Sequence, residues 1–338
     1  MSKQTLLLSI KPLALFILFF LLLSPVLAAQ GIAQDSAQDI QFTSTKDGTR
    51  QPALFYVPPG AAAADKGSRV PLLVFLHAWS DTYTSTAGGM LTEIKEESRR
   101  RGWILIAPNF RGPNDHPGAC GSDEAVQDVI DCVSYAKSNA LVDEKRVYLL
   151  GSSGGGFMSL LMATRAPQLW SAVSVWVPIT DLAAWHEFSK ATGPAWNNTY
   201  DKMMEACLGG PPDTPERAQE YRRRSPLPFL AQAKGIRIYI DAGINDGHPR
   251  NAVPLSHSLL AFNALVRANG LADHALADAD VETMTKEAQI PSHLAAERED
   301  DPLRRHKILF RRAAGPVHLT IFDGGHTFDA RTGIRYFE

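Results

Sequence analysis

Residues 147–155 have the sequence VYLLGSSGG, an apolar run that ends in a serine flanked by glycines. Gly151 and Gly155 stand two positions before and two positions after Ser153, which matches the G-x-S-x-G turn between a strand and a helix. A serine can occupy so tight a turn only when these neighbours lack side chains. The apolar periodicity of residues 155–165 predicts the helix that the turn requires. Ser153 is therefore the candidate nucleophile, raised above the edge of a sheet.

Short apolar runs alternate with longer amphipathic segments on both sides of this turn. Polarity also alternates over residues 40–57 around Asp47-Gly48, which predicts an antiparallel hairpin. Continuous runs of Val, Ile and Leu separated by helices are typical of a parallel sheet covered on both faces. The predicted fold class is α/β, with a mainly parallel, doubly wound sheet flanked by helices. The predicted buried strands are 72–76, 104–107, 147–150, 172–177, 236–242 and 317–322, and the predicted helices are 90–101, 122–138, 155–165 and 254–269.

The N-terminal residues 1–29 have the pattern of a secretory signal peptide. Lys3 and Lys11 precede the apolar residues 13–23, and small residues follow up to Ala29. A membrane-spanning helix usually needs roughly 18 or more apolar residues, which favours cleavage and export to the periplasm or medium over an uncleaved anchor.

The remainder of the chain is predicted to form one domain. The polar residues 30–39 are expected to be a flexible lead-in, and residues 40–338 a single catalytic domain. Residues 181–230 and 271–302 interrupt the alternation of strands and helices, so we expect cap-like insertions there.

The charge balance offers no electrostatic basis for binding nucleic acid. The 338 residues carry a net charge of −2 with a pI near 6.6, so we expect neither a nucleic acid partner nor stable membrane association after signal cleavage. The arginine runs 99–101 and 222–224 are expected to mark solvated helix ends, where cations complement the helix dipole.

A serine hydroxyl needs a base held by a carboxylate before it becomes nucleophilic at neutral pH. After a G-x-S-x-G turn these partners follow in the order acid, then histidine. Asp246 lies just beyond the strand predicted at 236–242, where its side chain can reach the edge of the sheet, and is the predicted acid. Asp241 lies within that strand pattern, which favours a structural role.

His326 is the predicted base. It follows the last predicted strand, 317–322, and the glycines before it allow a sharp loop that presents the imidazole over the edge of the sheet. His318 lies inside that strand, which favours a packing role. His248 precedes the strand, so it is the weaker candidate base and is expected at most to line the site.

An oxyanion hole needs a second backbone donor from the loop after an earlier strand. The strand predicted at 72–76 leads into His77-Ala78-Trp79-Ser80-Asp81. We therefore predict that the backbone N–H of Trp79 acts together with the N–H of Gly154. The Trp79 indole is expected either to form a wall of the pocket or to be packed in the interior.

Three cysteines leave the disulfide pattern open. If Ser122 begins a helix, Cys132 lies roughly 15 Å along its axis at about 1.5 Å per residue, so a bond to Cys120 is excluded. Cys207 can pair with either of them, or all three can remain buried free thiols.

Several motifs together resemble the catalytic domain of the prolyl oligopeptidase family, whose members have the α/β-hydrolase fold. The resemblance covers most of residues 40–328, and it implies that Ser153, Asp246 and His326 form the family's triad. The usual His-Gly before the oxyanion loop is His77-Ala78 in this chain, and the short segment after His326 predicts either a short terminal helix from about 330 or a truncated chain. The motifs are APNFRG at 107–112, the helix from 122, the strand and turn at 146–155, Gly243-x-x-Asp246 and Gly324-Gly325-His326.

The predicted function is that of a secreted serine hydrolase that cleaves an ester or amide bond through an acyl-enzyme. A carboxylic ester hydrolase is favoured, with acetylated or feruloylated polysaccharide as a candidate substrate because Trp185, Trp196 and Tyr200 are available to line a groove. The alternatives are a serine peptidase of the same family and a non-catalytic binding protein. No cofactor and no metal are expected, since His186-Glu187 lacks a second histidine at zinc-protease spacing.

Overall fold

Nine β-strands form one mixed sheet in the computed structural model of the protein, which describes residues 37–85, 89–196, 198–249 and 252–338. The predicted signal peptide lies outside the described residues. The strands stand in the order β1-β2-β4-β3-β5-β6-β7-β9-β8 across the sheet. They are β1 (Gln38–Thr43), β2 (Arg50–Tyr56), β3 (Val70–Leu76), β4 (Ile104–Pro108), β5 (Val142–Ser152), β6 (Ala172–Trp176), β7 (Arg237–Gly243), β8 (Ile308–Ala314) and β9 (Val317–Phe322).

The centre of the sheet is parallel and its two edges are antiparallel. Strands β4, β3, β5, β6, β7 and β9 pair in parallel, whereas the β1–β2 hairpin and β8 run against their neighbours. Every residue of β4 and β6 is buried, as expected for strands covered on both faces. The predicted α/β class, the parallel core and the N-terminal hairpin are thereby confirmed.

Strand β8 was not predicted from the sequence. Its sequence, ILFRRAA, places two arginines inside an apolar run, so it does not have the continuous apolar pattern of a buried strand. Because β8 lies at the edge of the sheet, Arg311 and Arg312 can pair with Glu299 and Glu297 of the preceding segment.

Nine α-helices accompany the sheet in the described residues. Ser122 caps α2 by accepting a hydrogen bond from the Ala125 amide at 3.0 Å, and Thr214 caps α6 in the same way from Arg217. The last helix begins at Ala330, where the sequence predicted it. The helices are α1 (Met90–Arg101), α2 (Asp123–Asn139), α3 (Gly154–Arg165), α4 (Leu182–Trp196), α5 (Tyr200–Leu208), α6 (Pro215–Arg224), α7 (Ser256–Ala268), α8 (Asp278–Glu287) and α9 (Ala330–Arg335).

None of these nine described helices is long and apolar enough to cross a membrane.

The expectation that both arginine runs are solvated is wrong for Arg224. Its side chain is buried, and the guanidinium donates to the carbonyls of Pro117 and Ala119 at 3.0 and 2.9 Å and to Glu220 at 2.6 Å. These bonds fasten the end of α6, in the first insertion, to the loop that precedes α2. A charge run at the end of a helix does not reveal which arginine finds carbonyl acceptors on another element.

A disulfide fastens the same insertion to the same loop. Cys120 is bonded to Cys207 of α5, with their Cα atoms 6.1 Å apart, and Cys132 is a buried free thiol. Burial raises the pKa of the Cys132 thiol well above its ordinary value, so this group stays protonated and unreactive. The bond crosses 87 positions of sequence, which the spacing of the cysteines alone did not resolve.

We expect thiol titration of the unfolded, oxidised protein to detect one thiol, and three after reduction. Reduction, or the Cys207→Ser substitution, should lower the free energy of unfolding by about 2–4 kcal/mol because the long loop is no longer closed in the unfolded chain. Chemical denaturation measures this loss. Cys132→Ala is the matched control: the oxidised, unfolded protein should then show no thiol. Detection of all three thiols before reduction would contradict the assignment.

Candidate active site

The turn between β5 and α3 holds Ser153 in a backbone conformation that is rare for a residue with a side chain. Its φ and ψ are 57° and −119°, and its amide donates to the Trp176 carbonyl of β6 at 2.9 Å. A Cβ on Gly151 would lie 2.7 Å from Ser159 Oγ, and one on Gly155 would lie 2.8 Å from the Leu76 carbonyl carbon. The two glycines are therefore required by backbone packing, and the strain serves to expose the hydroxyl.

Three side chains far apart in sequence meet at this turn. The Ser153 Oγ lies 2.9 Å from His326 Nε2, and His326 Nδ1 lies 2.9 and 3.0 Å from the two carboxylate oxygens of Asp246. An ionised carboxylate can only accept, so the proton resides on Nδ1. Nε2 is then the acceptor for the serine hydroxyl. The structure thus brings the predicted nucleophile, base and acid into one hydrogen-bonded chain.

The topology of the sheet explains why these residues converge. Asp246 follows β7 and His326 follows β9, and the carboxyl ends of parallel strands lie at one edge of a sheet. The two loops also bond to each other, since Ile244 donates to Phe322 and Asn245 donates to Gly324, both at 2.9 Å. The distance between acid and base is therefore set by backbone pairing.

Asp246 is held from several directions. Its carboxylate is buried, and Oδ1 accepts from the amides of Gly247 and Val253 at 3.1 and 3.2 Å besides the imidazole. Buried charge is tolerated when its lone pairs are satisfied in this way. The same amides fix the plane of the carboxylate, and hence the orientation of the His326 ring.

The two predicted oxyanion donors are neighbours. A Cβ added to Gly154 would lie 2.5 Å from Trp79 Cα, so the two backbones are in direct contact. Asn114 donates to the Trp79 carbonyl from its amide at 2.9 Å and from its side chain at 3.1 Å, which orients that peptide. In the described ranges, neither the Trp79 nor the Gly154 amide donates to another protein group. Both remain available to a developing oxyanion beside Ser153.

The family model described as the prolyl oligopeptidase family matches residues 97–279, more than half of the chain. This chain belongs to the prolyl oligopeptidase family. Proteins of this family that resemble it are esterases and peptidases, and the chain is accordingly a serine hydrolase.

Two relatives of known name differ in how much of their own length aligns with this chain. Feruloyl esterase B of Neurospora crassa is 26% identical over 235 residues, which cover 67% of this chain and 74% of the esterase. Acylamino-acid-releasing enzyme 1 of Oryza sativa subsp. japonica is 22% identical over 211 residues, 57% of this chain but only 26% of that enzyme.

Solved peptidase structures share the fold at low sequence identity. A Mycobacterium tuberculosis puromycin-hydrolyzing peptidase superposes with a TM-score of 0.57 at 19% identity, over 89% of this chain and 37% of that one. Uncomplexed Pyrococcus horikoshii acylaminoacyl peptidase gives 0.54 at 16% identity, over 89% and 40%. The family member spans well under half of these peptidases.

A cavity of about 440 Å³ opens onto Ser153 and His326. This volume lies within the range of roughly 300–1,000 Å³ that is typical of small-molecule sites. Tyr200, at the start of α5, forms part of its wall, as the sequence suggested, and burial raises the pKa of the Tyr200 hydroxyl. Asp81, Met90 and Phe328 also line it. The sequence placed Asp81 in the oxyanion loop without assigning it a role, and no sequence signal pointed to Met90 or Phe328.

Of the two other aromatic residues that the sequence suggested, Trp185 does not line this cavity. Trp185 is fully buried, with its Nε1 donating to the Ala252 carbonyl at 2.9 Å, so it cannot serve as an exposed platform. Its indole packs edge-on against Trp79, which is buried and contributes to the lining of the cavity. The side chain of Trp196 lies outside the described residues.

The alternative acid Asp241 and the alternative bases His318 and His248 make contacts outside the catalytic triad. Asp241 is buried and bonded to Arg304 at 2.5 Å and to the Tyr336 hydroxyl at 3.1 Å. His318 stacks on Tyr239, and His248 bonds to the Thr285 carbonyl at 3.1 Å. Among the residues with described placement, no three His, Cys, Asp or Glu side chains are grouped as metal ligands.

We expect Gly154→Ala to lower kcat for ester hydrolysis by about 10²–10³-fold, because the new methyl group displaces the Trp79 amide from the oxyanion position. Gly156→Ala is the matched control. Its Cβ would meet Trp176 and Pro178 at 3.0–3.2 Å, away from the oxyanion loop, and should cost much less activity. Steady-state kinetics on one ester compare them. Equal losses in both variants would mean that Gly154 serves packing alone.

Proposed function

We propose that the protein is an exported carboxylic ester hydrolase that works through an acyl-enzyme on Ser153. The observation that carries this proposal is the hydrogen-bonded chain from Ser153 through His326 to Asp246, which opens into the cavity described above. Nucleophile, base and orienting carboxylate lie at the distances that acyl transfer needs before the substrate binds.

The first step forms the acyl-enzyme. Ser153 Oγ attacks the ester carbonyl carbon while its proton moves to His326 Nε2. Asp246 holds the imidazole in the required tautomer and stabilises the imidazolium that results. The amides of Trp79 and Gly154 donate to the oxyanion of the tetrahedral intermediate. Collapse of this intermediate breaks the ester bond, and the imidazolium gives its proton to the departing alcohol.

The second step releases the acid. A water molecule loses a proton to His326 Nε2 and attacks the acyl carbon, and the same two amides stabilise the second tetrahedral intermediate. Its collapse breaks the bond to Ser153 Oγ, which takes the proton back from His326.

The extent of similarity favours an ester over a peptide substrate. The match to feruloyl esterase B covers 74% of that enzyme, whereas the matches to three peptidases cover 21–30% of theirs. The catalytic core is thus shared with both groups, and of these four relatives the esterase is the one matched over most of its length. A hydroxycinnamoyl or acetyl ester is therefore the first substrate to test, and a peptide bond is the alternative.

A matched pair of substrates tests the bond type. N-acetylalanine p-nitrophenyl ester and N-acetylalanine p-nitroanilide share an acyl group, and methyl ferulate is assayed in parallel. We expect turnover of the esters and little or none of the anilide, because the amine leaves less readily than the alcohol. Cleavage of the anilide or of peptides without ester hydrolysis would overturn the proposal in favour of a peptidase.

Export is supported by two independent features. The sequence of residues 1–29 has the pattern of a cleavable signal, and a disulfide such as Cys120–Cys207 persists in oxidising compartments. Expression of the full chain should yield a periplasmic or secreted protein whose N-terminus follows Ala28 or Ala29. Retention in the cytoplasm with residues 1–29 intact would refute this part of the proposal.

A further inference from the structure

Asp81, an acidic residue, lines the cavity that contains Ser153 and His326. It is the last residue of the oxyanion loop, and its backbone amide donates to the Ala78 carbonyl at 3.2 Å. The residue is partly exposed, in contrast to the buried Asp246 behind the imidazole.

The Asp81 carboxylate does not accept a hydrogen bond from the described backbone amides of its own loop. Other loop aspartates accept hydrogen bonds from nearby amides: Asp47 from Thr49 at 3.0 Å, and Asp301 from Leu303 at 3.1 Å. For Asp81, the described residues supply neither a hydrogen bond nor an ion pair to the carboxylate. Its charge acts on the hydroxyl of Tyr200, which lines the same cavity as Ser153.

The cavity is consequently anionic. Within the described part of the chain, Asp81 is the one aspartate or glutamate in its wall, and no lysine or arginine accompanies it there. The charge of Asp81 adds to burial in raising the pKa of the Tyr200 hydroxyl, which is consistent with the two groups facing the same space. An ammonium ion would be attracted into such a site and a carboxylate repelled.

Two aromatic rings complete the environment. Tyr200 packs against Trp185 at 5.1 Å between ring centroids, and Phe328 meets Trp176 edge-on at 5.5 Å, so both rings are supported from behind. Aromatic rings beside a carboxylate suit an ammonium or quaternary ammonium group, which is attracted by both.

We propose that Asp81 is a specificity-determining residue that selects esters carrying an ammonium group near the scissile carbonyl. This inference rests on the proposed function for the reaction, and it adds the class of substrate. The Asp81 carboxylate attracts the ammonium group, and the rings of Tyr200 and Phe328 enclose it while Ser153 attacks the ester.

Two pairs of isosteric esters test the selection. Acetylcholine and 3,3-dimethylbutyl acetate differ by a charge on the alcohol side, and glycine betaine ethyl ester and ethyl 3,3-dimethylbutanoate differ by a charge on the acyl side. The measured quantity is the ratio of kcat/KM for the cationic ester to that for its neutral isostere. Comparison of this ratio between variants cancels the intrinsic reactivity of each ester.

Asp81→Asn keeps the shape of the side chain and removes its charge. We expect it to lower the cationic-to-neutral ratio by about tenfold or more for at least one pair, the size expected for a charge lost from a partly screened site. Asp273→Asn is the control: it makes the same change in net charge at an exposed residue that does not line the cavity, and should leave both ratios unchanged. Ratios that change by less than about twofold in Asp81→Asn overturn the inference.

A binding measurement separates this inference from the proposed function. Should no ester be hydrolysed, the proposed function fails, and calorimetric titration with choline and with 3,3-dimethylbutan-1-ol then decides the role of Asp81. We expect choline to bind more tightly than the neutral alcohol, and Asp81→Asn to weaken choline binding by about tenfold. Equal binding of choline by the wild type and by Asp81→Asn would overturn the inference.

Discussion

Ser153→Ala should lower kcat/KM for ester hydrolysis by about 10⁴-fold or more, since no other group can form the acyl-enzyme. The hydroxyl lies 2.9 Å from His326 Nε2, and the strained turn exposes it to the substrate. Binding of substrate and the oxyanion donors would remain, so a small residual rate over water is expected. Steady-state kinetics and labelling by a fluorophosphonate measure the two consequences, and the variant should resist labelling.

The adjacent serine provides the matched control for this experiment. Ser152 also lines the cavity but ends strand β5, whereas it is the Ser153 hydroxyl that lies 2.9 Å from His326 Nε2. Ser152→Ala should therefore still be labelled. Fluorophosphonate labelling that survives in Ser153→Ala would refute the assignment of the nucleophile.

Asp246→Asn should lower kcat by about 10⁴-fold while the protein remains folded. The amides of Gly247 and Val253 both donate to Oδ1 and would hold the oxygen of the new carboxamide in place. The carboxamide NH₂ would then point at His326 Nδ1, which must become an acceptor. The proton moves to Nε2, and the imidazole can no longer accept the proton of Ser153.

Asp241, the rival acid in the sequence, is the control for this substitution. Its carboxylate is bonded to Arg304 and Tyr336 and has no contact with the imidazole. Asp241→Asn weakens a buried ion pair, so its main effect should be on the free energy of unfolding. Thermal unfolding and kinetics are compared for both variants. A loss of kcat in folded Asp241→Asn as large as that in Asp246→Asn would contradict the assignment of the acid.

Prediction from sequence worked best where local and tertiary preferences agree. The strands of the parallel core are buried on both faces, so their sequences are continuous apolar runs that are easy to recognise. The bounds of strand β9 and of helix α1 were predicted to the residue. Strand β8 was missed because an edge strand can carry Arg311 and Arg312, which removes the apolar signal. Solvation of Arg224 was predicted wrongly for a related reason: its carbonyl partners lie more than a hundred positions away.

The sequence by itself determined the turn around Ser153, the order of acid and base after it, and the class of fold. These features depend on local backbone requirements and on the rule that parallel strands end at one edge of the sheet. Only the tertiary structure decided which cysteines pair, and that Asp81 and Phe328 share a cavity with the nucleophile. Those groups come from separate loops and helices, and no local pattern of residues encodes the distances between them.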